Sequence, residues 1–299
     1  MKALPLLLLA PLLTTSQPAP PRFSFAVLAD VQYGDQAPAG KREYRGSLGK
    51  LREAVEALNA RNDLAFVIQL GDLIDSRAAD LDPILAVYNR LVAPRRHVLG
   101  NHDFAMPRDT LVRRLGMPGA SYEFAFGGWR FVVLDGMDLS VAAGSRADGT
   151  PQRDRGREMF ERLSAGRAAN ANDWNGGVGR QQLDWLRDCL KRATRSRERV
   201  IVFCHFPVLS ESSTPAHLLW NHEAVREMLE AEPSVAAWFN GHDHQGGYAE
   251  RNGIHYVTFP GIVESGEQTT YSVVNVYADR LKLGGAASAP KRTLRIAPR

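Results

Sequence analysis

Five short polar clusters in this chain each follow directly on an apolar run: Asp30-Val31-Gln32, Gly71-Asp72-Leu73-Ile74-Asp75, Gly100-Asn101-His102-Asp103, Cys204-His205-Phe206-Pro207 and Gly241-His242-Asp243-His244. One Gly-Asp after a strand is a turn, and one histidine there is a hydrogen-bonded structural residue. Five clusters at the same place relative to five strands point instead to one rim, because residues just beyond the carboxyl ends of strands in α/β proteins converge on a crevice. The side chains delivered there are Asp30, Gln32, Asp72, Asn101, His205, His242 and His244. Carboxylate, amide oxygen and imidazole without thiolate suit hard to borderline divalent ions, namely Mn²⁺, Fe²⁺, Zn²⁺ or Mg²⁺. Seven side chains are too many for one tetrahedral ion. They fit two ions that share a bridging carboxylate and lie ~3.5–4 Å apart, as two-metal hydrolases place them.

The elements that must position these residues alternate between strand and helix. Strands are expected over 23–29, 66–70, 96–99, 200–203, 235–239, 248–251, 254–259 and 272–277, and a hairpin over 121–125 and 129–135 turns at Phe126-Gly127-Gly128. The spacing of Leu48, Leu51, Val55 and Leu58 predicts a helix over 44–61. Further helices are expected over 82–91, with Pro83 in its first turn, and over 108–115, 155–163, 180–192 and 221–230. Between Gly136 and Gly179 the pattern weakens, and a structure-poor stretch of that length inside a domain is functional or mobile. No linker divides the chain, so one α/β domain is expected over 21–285, followed by a polar basic tail over 286–299.

Composition narrows the function classes. The chain has 299 residues, 44% apolar and 23% charged, and a net charge of only +4, without the concentrated basic face of a nucleic-acid binder. Its first residues, MKALPLLLLAPLLTTSQPAPPR, carry one cation (Lys2), an apolar run from Ala3 to Leu13 and then a Pro-rich stretch. That order is the pattern of a secretory signal peptide, expected over 1–20, and implies export to a periplasmic or extracellular space. The run is too short to span a bilayer, and no cysteine follows it for a lipid anchor, so no stable membrane anchor is expected. Cys189 and Cys204 fall on a helix and in a strand and are expected as two separately buried thiols, pairing being the alternative in an exported protein.

Taken in order, Asp-x-(His or Gln), Gly-Asp, Gly-Asn-His-(Asp or Glu), a strand-end His and Gly-His-x-His resemble the calcineurin-like metallophosphoesterases. Within that superfamily, ADVQY, YRGSL, QLGDLID, LDGMDLSV, NDWNGGVG, QLDWL, HFPV and GHDHQGGY look like the manganese-dependent ADP-ribose/CDP-alcohol diphosphatases, from about Ala29 to Glu264. The resemblance implies a four-layer α/β/β/α sandwich with two mixed sheets flanked by helices. It implies two divalent ions, Mn²⁺ foremost, the first held by Asp30, Gln32, Asp72 and His244 and the second by Asp72, Asn101, His205 and His242. His102 would stand beside the ions as the catalytic histidine, with Asp103 orienting its ring. Gln in the first block is typical of that group; its neutral amide oxygen makes the first site harder and favours Mn²⁺ over Zn²⁺. The implied reaction is hydrolysis of a phosphoanhydride or phosphodiester bond in a small-molecule nucleotide such as ADP-ribose or a CDP-alcohol.

The same fold also serves phosphomonoesterases, cyclic-nucleotide phosphodiesterases and non-catalytic scaffolds. Scaffolds lose ligands, and here every expected position carries a ligand-competent residue. One departure stands out: the loop Gly34–Lys41 is short and has no Phe or Trp, where animal members of the group carry a longer loop with an aromatic suited to stacking on a base. Among the remaining polar residues, His97, His217, His222 and His255 are expected to be structural or solvated, with His217 and His222 nearest the site because TPAHLLWNH follows the His205 strand closely. Arg45 and Tyr44 read as surface ion-pairing residues, phosphate contact being the alternative, Asn175 to Gly177 as either a phosphate-facing turn or a plain loop, and Asp75 and Asp135 as hydrogen-bonding scaffold.

Overall fold

The computed structural model describes residues 19–142 and 149–296, so most of the apolar leader expected over 1–20 lies outside the described residues. In chain order the elements are β1 (Phe23–Leu28), α1 (Ser47–Asn59), β2 (Leu64–Gln69), α2 (Leu81–Tyr88), β3 (Arg95–His97), α3 (Arg108–Arg114), β4 (Tyr122–Phe126), β5 (Trp129–Val133), α4 (Pro151–Ala165), α5 (Arg180–Arg195), β6 (Arg199–Phe203), α6 (His222–Glu230), β7 (Val235–Asn240), β8 (Gly247–Arg251), β9 (Ile254–Thr258), β10 (Tyr271–Val276), β11 (Arg280–Ala286) and β12 (Arg292–Arg295). All six residues of β1 are buried, because the strand is central and covered on both faces, which is why it reads as a nearly continuous apolar run. It pairs antiparallel with β10 on one side and parallel with β2 on the other.

Two mixed six-stranded sheets result, in the orders β12-β11-β10-β1-β2-β3 and β4-β5-β6-β7-β9-β8. A seam of phenylalanines joins them: the Phe25 ring meets Phe203 edge-on at 6.2 Å, and Phe66 meets Phe131 at 5.0 Å and Phe124 at 5.1 Å. Edge-to-face pairs of this kind contribute ~0.5–1.5 kcal/mol each beyond their area. Helices flank the sheets. Helix α1 buries Leu51, Ala54, Val55 and Leu58, and α5 buries Leu186, Cys189, Leu190 and Ala193. This is the α/β two-sheet sandwich that the resemblance implied. Cys189 and Cys204 are both free and buried. Among the described residues no helix is long and apolar enough to cross a membrane.

The ends of the chain and its middle depart from the expectation. The tail expected over 286–299 is not a tail as far as Ile296: β12 pairs antiparallel with β11, Leu281 opposite Leu294. Its signal was weak because an edge strand buries little; Leu294 is the one buried residue among Arg292, Thr293 and Arg295. In the weakly patterned stretch, the helix expected over 155–163 extends to Pro151–Ala165, where the Thr150 hydroxyl accepts from the Arg153 N–H at 3.2 Å. Only Gly156 of α4 is buried, so the helix has almost no apolar stripe to reveal it.

His97, at the end of β3, shows how the core constrains ionisation. It is 3% exposed, lies 4.8 Å from the Tyr88 ring, and its Nδ1 has no partner among the described residues. Burial pushes its pKa down to about 3. The unfolded chain takes up this proton below ~6.5, so the neutral buried imidazole contributes stability above that pH and loses it as pH falls towards 3. We expect the unfolding free energy to fall by on the order of 1 kcal/mol per pH unit from this group alone. Denaturant titrations of the wild type and His97→Leu at pH 7, 5.5 and 4 check this; parallel pH profiles would remove the group from the account.

Candidate metal centre

The clusters sit at the carboxyl ends of β1, β2, β3, β6 and β7, and strong backbone turns hold them there. Asp30, Gln32, Asp72 and His242 adopt left-handed φ values of 48°, 45°, 57° and 69°. For non-glycine residues each such turn costs on the order of 1 kcal/mol, and strain of this kind persists only where surrounding structure over-determines it. Here the β1 and β2 ends brace one another: the Gln32 N–H donates to the Asp72 carbonyl at 2.7 Å and Tyr33 N–H to Leu73 at 3.1 Å. The His242 N–H donates to both Asp30 carboxylate oxygens at 3.1 Å. Gly100 allows the closest approach, since a Cβ there would collide with the Asp72 carboxylate and backbone.

The side chains converge. Ligand-competent atoms of Asp72, His205 and His242 lie within 4.8 Å of one another. His205 Nε2 is 3.2 Å from Asp72 Oδ2, 3.1 Å from Asn101 Oδ1 and 3.0 Å from His242 Nδ1. Its other nitrogen faces the Leu70 carbonyl at 2.8 Å, which can only accept, so Nδ1 carries a proton and Nε2 points into the cluster. Donor atoms each ~2.1 Å from one ion and at right angles lie ~3.0 Å apart, which matches these separations. On the other side of Asp72's turn, His244 Nε2 is 3.5 Å from Asp30 Oδ1, while its Nδ1 lies 2.9 Å from Glu264. A carboxylate on the far nitrogen is a common way to orient a metal-binding imidazole. Gln32 is fully buried, yet neither its amide oxygen nor its nitrogen has a partner among the described residues. An orphaned buried amide is costly, and a divalent ion beside Asp30 would supply what its oxygen lacks. The residues present therefore fit a divalent centre.

The electrostatics agree with a place that draws positive charge. Burial pushes the Asp72 carboxyl up, but the His205 and His102 imidazoles outweigh it and hold it well below the usual carboxylate range. Burial pushes His205 down, and Asp72 more than reverses this, to about 9; Asp30 and Glu264 do the same for His244. His242 goes well below its ordinary value through burial and the His205 charge.

His102 borders the pocket, but its expected partner is wrong. Asp103 does not hold the imidazole ring. Its carboxylate instead accepts four backbone N–H groups, from Leu73 at 2.7 Å, Gly100 at 2.9 Å, Asp72 at 3.0 Å and Ile74 at 3.3 Å, and so pins the two loops together. The neighbour in sequence points its side chain back under its own turn, and His102 reaches the other loop. Its Nδ1 lies 2.7 Å from the Asp75 carbonyl and 3.3 Å from the Asp75 carboxylate. Gln36 and Ser76 hold that carboxylate in turn. The Asp75 expected as scaffold thus scaffolds the histidine.

A pocket of about 410 Å³ opens over Asp72, Asn101, His102, His242 and His244, and continues to Arg42, Trp174 and His217. Arg42 was not foreseen in the sequence, Trp174 belongs to the NDWN stretch whose resemblance implied active-site architecture in the weakly patterned segment, and the His217 expected to be structural or solvated is a pocket wall. The Trp174 and His217 rings stand 5.1 Å apart. Arg45 forms the expected surface pair, with Asp35 at 2.7 Å. Asn175, open between two readings in the sequence, lies behind the centre with Oδ1 3.0 Å from His242 Nε2. A second cavity, of about 440 Å³, is lined by Asp138, Gln152, Arg155 and Arg180 among others and contains none of the candidate metal residues.

A two-sheet sandwich with acidic, amide and imidazole groups gathered at its strand ends defines a metallophosphoesterase, and the chain belongs to the calcineurin-like phosphoesterase family, whose sequence profile matches residues 23–246. It is a metal-dependent phosphohydrolase. It is 33% identical over 297 residues to a manganese-dependent ADP-ribose/CDP-alcohol diphosphatase of Oryza sativa, covering 89% of this chain and 92% of that one. An enzyme of the same name from Arabidopsis thaliana is likewise 33% identical, over 296 residues, 89% of this chain and 94% of that one. The crystal structure of a dimetal phosphatase from Danio rerio superposes with a TM-score of 0.86 at 30% identity, covering 93% of this chain and all of the other. The resemblance to this group is thereby borne out.

Proposed function

We propose that the chain hydrolyses the phosphoanhydride bond of nucleoside-diphosphate-linked small molecules, ADP-ribose and CDP-alcohols being the leading candidates, with two divalent ions of which Mn²⁺ serves best. The observation that carries this reading is the pocket itself, with convergent acceptor groups at one end and an aromatic and cationic wall at the other. Asp30, Gln32, Asp72 and His244 would hold one ion, and Asp72, Asn101, His205 and His242 the second. When bound, the pair supplies Lewis-acid polarisation of the phosphoryl group and water of lowered pKa.

The chain's own residues do the rest. His102 Nδ1–H donates to the Asp75 carbonyl, which leaves Nε2 for the substrate. Burial pushes its pKa down, and the Asp72 and Asp75 carboxylates push it up to a net rise; the Nε2 proton would pass to the departing oxygen. Arg42, tethered to Glu264 at 3.2 Å, presents a cation to the phosphate chain. Trp174 and His217 offer planar faces to a base, replacing the aromatic that the 34–41 loop lacks. Stacking of one base on an aromatic contributes ~1–3 kcal/mol.

A substrate panel with Mn²⁺ added to metal-free enzyme tests the reading: ADP-ribose, CDP-choline, a 2′,3′-cyclic nucleotide, an aryl monophosphate and an aryl diester. The first two are expected to lead in kcat/KM, and Trp174→Ala to lose ~10-fold on them through KM, as partial loss of stacking predicts, with little change on the aryl monophosphate. Preference for the monophosphate or the cyclic nucleotide would move the chain to another branch of the fold, and no turnover on any would make it a scaffold. We also propose, from the Lys2–Leu13 pattern alone, that the enzyme works outside the cytosol; N-terminal sequencing of the mature protein beginning at Met1 would overturn this.

A further inference from the structure

We propose that Asn175 is a positioning residue that fixes which ring nitrogen His242 turns to the metal centre, an inference that rests on the centre assigned above. The amide is fully buried, and its orientation is dictated by what surrounds it. Asn175 Nδ2 donates to two carbonyls, Asn170 at 3.0 Å and Ala216 at 2.8 Å. Both carbonyls can only accept, so the NH₂ group must face them and Oδ1 must face His242. An amide oxygen cannot donate, so His242 Nε2, 3.0 Å away, must carry the proton. A neutral imidazole has one such proton. His242 Nδ1 therefore keeps its lone pair, and that nitrogen is the one 3.0 Å from His205 Nε2.

The same region ties down the last part of the weakly patterned segment. Asn172 Nδ2 also donates to the Ala216 carbonyl, at 3.0 Å, and the Trp220 indole N–H donates to the Asn172 carbonyl at 3.1 Å. Residues 170–178 are thus strapped to the loop after β6, and the strap ends in the amide that orders His242. Partners behind a metal-binding histidine are typically worth ~10–100-fold in metal affinity.

The experiment is a Mn²⁺ titration of metal-free protein, followed by the paramagnetic resonance of the free ion, on the wild type, Asn175→Ala, Asn175→Asp and Asn172→Ala. Wild type is expected to take up two ions. Asn175→Ala should weaken one of the two steps by ~10–100-fold and leave the other; Asn175→Asp, which keeps an acceptor for Nε2–H but sets its second oxygen against the Asn170 and Ala216 carbonyls, should recover only part of the loss. Asn172→Ala cuts the same strap without touching His242 and should leave both steps alone. Two unchanged steps in Asn175→Ala, or equal weakening by Asn172→Ala, overturns the positioning role, and a wild type that binds no divalent ion overturns it together with the metal centre. A direct readout needs no variant: two-bond ¹H–¹⁵N spectra of the metal-free wild type should show His242 as the Nε2–H tautomer, and an Nδ1–H signature would refute the proposal.

Discussion

Asp72→Asn is expected to abolish both Mn²⁺ uptake steps and to lower turnover by at least ~10³-fold while the protein stays folded. The side chain is buried and held at both oxygens. Oδ1 accepts from the His102 N–H at 2.9 Å, and Oδ2 lies 3.2 Å from His205 Nε2. An asparagine fits the same volume, but its single oxygen must stay with the His102 N–H, because an NH₂ there would set donor against donor. The NH₂ is then forced towards His205 Nε2 and its neighbours Asn101 Oδ1 and His242 Nδ1, where it puts a donor among the groups assigned to the second ion. The charge shared by both assigned ions is lost as well. Charge stabilisation of several kcal/mol, with ~1.4 kcal/mol for each tenfold in rate, gives the size of the effect. Thermal unfolding offers a check independent of activity. A ligand at 100 times its Kd stabilises a protein by ~2.7 kcal/mol, so saturating Mn²⁺ should raise the Tm of the wild type and leave that of Asp72→Asn unchanged. An Asp72→Asn protein that still takes up two ions with wild-type affinity would show that the carboxylate is not shared.

What could be read in the sequence divides along a physical line. Strand β1 and helix α5 were legible because each buries a whole face, and burial writes itself as an apolar run or stripe. The placement of Asp30, Gln32, Asp72, Asn101, His205, His242 and His244 at one rim was legible because each follows its strand within a few residues, so strand order alone carries them together. Residues whose partner depends on how a loop turns were not. Asp103 adjoins His102 in the chain and was expected to orient it, yet the left-handed turn at Asp72 brings backbone N–H groups to that carboxylate and sends the imidazole to Asp75. Trp174 and Arg42 reach the pocket from segments far apart in sequence, with no periodicity to announce either. Strand β12 was hidden for the opposite reason, because an edge strand with one inward leucine shows no pattern at all.

His102→Ala should take up two Mn²⁺ ions like the wild type and lose ~10²–10⁴ in kcat, the usual worth of a positioned proton donor. The separation of binding from chemistry follows from its contacts. The His102 backbone N–H, which braces Asp72, survives the substitution, and the ring bonds to Asp75 rather than to any of the seven side chains assigned to the ions. What the variant loses is the proton at Nε2. Its importance grows with the basicity of the oxygen that must leave, so the test is a series of aryl esters of a nucleoside monophosphate with phenols of rising pKa. Wild-type kcat should vary little across the series, since the imidazolium offsets the poorer leaving groups, whereas His102→Ala should fall steadily with phenol basicity. Asp75→Asn keeps the carbonyl contact but removes the carboxylate 3.3 Å from Nδ1, and should lie between the two. A uniform loss along the series would mean that the ring stabilises charge on the phosphoryl oxygens instead of passing a proton to the leaving one. Full wild-type turnover in His102→Ala would remove the residue from the reaction altogether, and with it the reason for Asp75, Gln36 and Ser76 to converge behind it.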